Sequence, residues 1–178
     1  GELSVTYNFI CDYNSWMVYR YIFKEKYKIM KKRTRKIIKC LLVVIFMLFI
    51  FYMSSREGDK STGDSSAVIN FIKIYLGIDL DMISNGNASF IVRKTAHATE
   101  YMVLFILIYM VTKEYENIKR KVLLSLIITI CYSISDEVHQ YFVPGRDMRI
   151  FDVMVDSTGA LIGVILLKIK NRLKKIHL

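Results

Sequence analysis

Residues 122–169 read VLLSLIITICYSISDEVHQYFVPGRDMRIFDVMVDSTGALIGVILLKI. Two apolar runs, 122–138 and 150–169, flank a turn at Pro144-Gly145. At ~1.5 Å rise per residue, each run is long enough to cross a hydrocarbon core ~30 Å thick. Water is absent there, so each run must satisfy its own backbone hydrogen bonds, which selects helices. A short turn between two such helices makes an antiparallel hairpin across a membrane. Polar groups gather at the turn. Asp136, Glu137 and Gln140 close the first run, Arg146 sits in the turn, and Asp152 and Asp156 open the second run. Ionisable groups at this depth are expensive, so their gathering marks a functional site. The competing reading is that they only staple helices together or cap their ends.

Working outward, two further apolar runs cover Ile37–Met53 and Ala96–Thr112. Residues 67–78 are apolar around much of a helix but hold Asn70 and Lys73, and they are too short to span. They read as a helix lying at the membrane surface. Residues 54–66 read as an exposed polar loop, and 84–89 as a turn. The expected fold is therefore all-α: an integral membrane four-helix bundle with spans near 37–53, 96–112, 122–138 and 150–169. A short interfacial helix separates spans one and two. Residues 30–178 form the membrane domain. Residues 1–29, aromatic and basic, read as an upstream extension to a unit that begins at Met30, or alternatively as an interfacial amphipathic helix.

The composition agrees, with 53% hydrophobic residues. The formal charge of +10 alone would fit a nucleic-acid partner, but no nucleic-acid-binding motif is present and the basic residues flank apolar runs. That placement instead sets topology. Residues 1–39, 113–121 and 168–178 together carry 19 Lys/Arg and five Asp/Glu, while the rest of the chain carries seven and 11. Basic excess marks the cytoplasmic side, so both termini are expected inside and the polar cluster outside. Cys11, Cys40 and Cys131 show neither a disulfide framework nor metal-ligand spacing.

Three helices send polar groups to that outer end. Lys94, His97 and Tyr101 share one side of the second span, with Glu100 at its border. Asp136 and Gln140 share a side of the third, beside Glu137, while His139 faces elsewhere. Asp152 and Asp156 share a side of the fourth, which Gly159 and Gly163 continue one and two turns deeper. Small residues four apart let helix backbones approach closely in lipid, so this face should pack inward. Lys94 and Arg146 are expected to pair with two of the acids and to read an anionic head group. Alternatively Asp136, Glu137, Asp152 and Asp156 hold a divalent cation, which needs several oxygen ligands.

The stretches Arg93-Lys94-Thr95-Ala96-His97, Ser135-Asp136-Glu137-Val138-His139-Gln140, Pro144-Gly145-Arg146 and Asp152-Val153-Met154-Val155-Asp156-Ser157-Thr158-Gly159 occur in this order. They resemble the VanZ-like family of bacterial membrane proteins, over roughly residues 37–168. The resemblance implies a multi-pass protein of the bacterial cell membrane that lowers susceptibility to teicoplanin, a lipoglycopeptide. Three functions stay open. One is an envelope protein whose outward polar site binds an amphiphile or lipid head group. Another is a membrane enzyme acting on a lipid-linked phosphate or diphosphate, such as a cell-wall intermediate. The third is a bundle with no ligand.

Overall fold

A computed structural model describes the backbone of residues 2–56, 58–117 and 119–176, and the side chains of residues 20–56, 63, 65–117 and 119–175. Among the described residues six helices follow in order: α1 Glu2–Ser54, α2 Gly58–Leu76, α3 Leu80–Ile83, α4 Ala88–Thr112, α5 Lys121–Gln140 and α6 Ile150–Ile176. Among the described residues there is no strand. The chain divides into two compact units, residues 1–39 and 40–178. In the first, the side chains of Tyr21, Ile22, Phe23, Tyr27, Ile29 and Met30 are exposed. Cys11 and Trp16 lie outside the described side chains.

Among the described residues four helical segments are long and apolar enough to cross a membrane: Arg20–Ser54, Ala88–Thr112, Lys121–Gln140 and Ile150–Lys175. A shorter apolar segment, Ser65–Leu76, lies between the first two. Polarity across α5 is inverted relative to a water-soluble helix. Its buried residues are Ser125, Thr129, Ser133, Asp136, Glu137 and Gln140. Leu123, Ile127, Ile128, Ile134 and Val138 point outward. Lipid is the solvent in which an apolar exterior around a polar interior is stable.

Within the second unit α4 is central, packing on α6, α5 and α2. The apolar core joins Ile50 of α1 to Tyr101, Leu104 and Ile108 of α4, with Tyr132 of α5 against it. The Tyr132 hydroxyl donates to the Met47 carbonyl at 2.6 Å. Gly159 lets α6 approach α4: a Cβ there would overlap the backbone carbonyl of Ala98. At Gly163 a Cβ would lie 2.7 Å from Cδ1 of Phe105.

Three boundaries differ from expectation: the first span, expected from residue 37, lies in a helix that already runs from Glu2, with its apolar segment at Arg20–Ser54. Residues 58–66, read as loop, belong to α2, because Ser65 and Ile69, one turn apart, are buried in the fold and this burial overrides weak local propensity. The second span starts at Ala88 rather than residue 96. Arg93 and Lys94 look like the end of a span by hydropathy, yet Lys94 lies inside α4, where it is buried and paired.

Candidate functional site

The polar site is built where the C-terminal ends of α1 and α5 meet the N-terminal parts of α4 and α6. Its first component is a network around Asp136. Ser54, at the end of α1, donates to Asp136 Oδ2 at 2.7 Å. Gln140 Nε2, one turn along α5, donates to the same oxygen at 3.1 Å. Gln140 Oε1 accepts from Arg146 Nη1 at 3.2 Å, and Arg146 Nε donates to the Arg56 carbonyl at 2.9 Å. The turn that delivers Arg146 depends on Gly145, whose φ is +73°, and closes through Arg146 N donating to the Val143 carbonyl at 3.1 Å. Gly at that position of a Pro-Gly turn adopts a positive φ without steric cost.

Asp152, Glu137 and Asp156 each have their own protein partner. Lys94 Nζ pairs with Asp152, and the ammonium also sits 5.3 Å from the centre of the Phe90 ring. Glu137 Oε2 accepts from the Arg149 backbone N–H at 3.0 Å. Ser133 donates to Asp156 Oδ2 at 2.7 Å, with His97 Nδ1 at 3.9 Å from Asp156 Oδ1. Among the described residues no three His, Cys, Asp or Glu side chains converge as a metal-binding group. The expectation that Arg146 pairs with an acid is corrected: its hydrogen bonds go to Gln140 and the Arg56 carbonyl. Tyr101 OH lies against the Asp136 carboxylate, while Asp156 Oδ1 is buried with no hydrogen-bond partner among the described residues. An unpaired buried polar atom is costly and calls for an explanation. His139 turns to α1, with Nε2 3.0 Å from Ser55 Oγ and its ring stacked on Phe51.

Beside this network lies a cavity of about 170 Å³. One wall is apolar, from Met53, Val68, Val92 and Ala96; the other carries Arg93, His97, Glu100 and Arg146. A smaller recess of about 50 Å³, lined by Arg93, Arg146, Arg149 and Asp152 among others, shares both Arg93 and Arg146 with it. Burial and the neighbouring Arg93 charge both lower the pKa of Arg146 from its usual value. Two guanidiniums that crowd each other favour an anion between them.

The VanZ/LLP1 family model matches residues 39–171, which include every one of these side chains. The chain belongs to the VanZ/LLP1 family. No curated protein and no solved structure matches the chain. Its four apolar helices and its VanZ/LLP1 domain together make it a multi-pass membrane protein.

All ten polar residues singled out in this VanZ/LLP1 sequence fall at one end of the bundle, while Gly159 and Gly163 pack the helix interface. Sequence reasoning missed Ser54, Ser133 and the role of Arg93. The hydroxyls had a readable signal: Ser125, Thr129 and Ser133 recur every fourth residue in α5, one stripe leading to Glu137. Ser54 had none, because its partner lies 82 residues away.

Proposed function

We propose that this chain is a bacterial cell-membrane protein with both termini cytoplasmic, and that it lowers susceptibility to teicoplanin-type lipoglycopeptides. Its outward-facing site binds an amphiphile or a lipid head group. One observation carries this reading: the cavity pairs an apolar wall with two arginines. Pockets that hold small amphiphiles combine mostly apolar surface with a few convergent polar groups in the same way. Asp136, Glu137, Asp152 and Asp156 each already have a protein donor, which favours binding over metal-assisted transfer.

Orientation is tested with single cysteines in a chain whose own cysteines are replaced. With a membrane-impermeant maleimide, Asp147→Cys is expected to react in intact cells and Lys119→Cys only after the cells are opened. The reverse pattern would invert the topology and move the site to the cytoplasm.

The site is tested by Arg146→Ala, Asp136→Asn and Asp156→Asn. Each is expected to return teicoplanin susceptibility to that of cells lacking the chain, with membrane abundance near the parent's. If all three proteins disappear from the membrane, these residues hold the bundle together and bind nothing.

A further inference from the structure

The charges around the cavity specify its occupant more closely than "amphiphile". Arg93 and Glu100 both line it, and neither makes a hydrogen bond or ion pair with another described side chain. Lys94 also lies at this end but is committed to Asp152. A purely anionic head group would satisfy Arg93 and Arg146, but it would leave Glu100 facing the ligand's negative charge.

We infer that the cavity takes a zwitterionic phospholipid head group, with its phosphate against Arg93 and Arg146, its ammonium against Glu100, and its acyl chain along Met53, Val68 and Val92. Guanidinium forks suit phosphate oxygens, and a carboxylate with free lone pairs suits an ammonium with three donors. The cavity is lined at once by Met53 of α1, Val68 of α2 and residues of α4, so its apolar wall adjoins its charged groups. This inference rests on the reading of the cavity as an amphiphile site, and it adds the head group's charge.

Native mass spectrometry of the purified full chain tests it, with phosphatidylethanolamine, phosphatidylglycerol and inorganic phosphate titrated separately. One equivalent of phosphatidylethanolamine should be retained, about tenfold more tightly than phosphatidylglycerol, the scale of one charge-assisted hydrogen bond. Glu100→Gln should erase that preference without weakening phosphatidylglycerol, and Arg93→Ala should weaken both lipids. Helix content of each variant is measured alongside, and the preference in the parent chain needs no variant. Phosphatidylglycerol bound as tightly as phosphatidylethanolamine would overturn the zwitterion and leave the amphiphile site standing. Inorganic phosphate bound as tightly as either lipid would make the site one for a free anion. Retention of neither lipid would overturn both readings.

Discussion

Gly159→Val is expected to remove most of the folded protein from the membrane. The α6 backbone approaches α4 so closely at this position that a Cβ would overlap the Ala98 carbonyl. Backbone cannot rotate out of the way as a flexible side chain does, so the helices must separate. Separation would also pull Asp152 from Lys94 and Asp156 from His97, since each pair bridges these two helices. Overpacking commonly costs about 1–3 kcal/mol, and a backbone clash on the central helix belongs at or above the top of that range. Gly163→Ala should be milder, because its first obstacle is the Phe105 ring. Membrane abundance and the thermal midpoint in detergent should order parent, Gly163→Ala, Gly159→Val. A Gly159→Val protein as stable as the parent would mean that α4 and α6 do not pack through this face.

Lys94→Met should cost almost as much, for a different reason. The Lys94 and Asp152 side chains are only 11% and 15% exposed. Removing one partner of a buried ion pair leaves the other charge uncompensated, at a cost of about 3–5 kcal/mol. Replacing both partners should cost far less. Asp152→Asn added to Lys94→Met is therefore expected to recover most of the lost thermal midpoint. If the double variant is as unstable as the sum of the two single ones, Lys94 and Asp152 are not coupled and the pair is incidental.

The fold was legible because lipid imposes a length rule and a backbone rule at once, so apolar runs such as Val122–Val138 announce spans directly. The same rule misplaced the start of the second span. Hydropathy treats a charge as an edge, and it cannot see that Asp152 on another helix neutralises Lys94 inside α4. Helical periodicity found groups that meet within one helix, as Gln140 does with Asp136. It also placed Asp152 and Asp156 on one side of α6, but gave no hint that they serve different partners, Lys94 and Ser133. The partners of Arg146 escaped prediction because its direction is set by the backbone of the turn at Gly145, which has no period to read. The polar start of α2 was likewise decided by tertiary burial of Ser65 and Ile69 and not by local composition.

We propose that the cavity acts on an amphiphile, using its apolar wall together with its arginines. Comparing growth inhibition by teicoplanin and by its deacylated form tests this most directly, in cells with the parent chain, with Arg146→Ala at matched abundance, or with no chain. The parent chain should raise the inhibitory concentration of the acylated compound alone, and Arg146→Ala should remove that protection. Equal protection against both compounds, or protection that survives Arg146→Ala, would contradict the account.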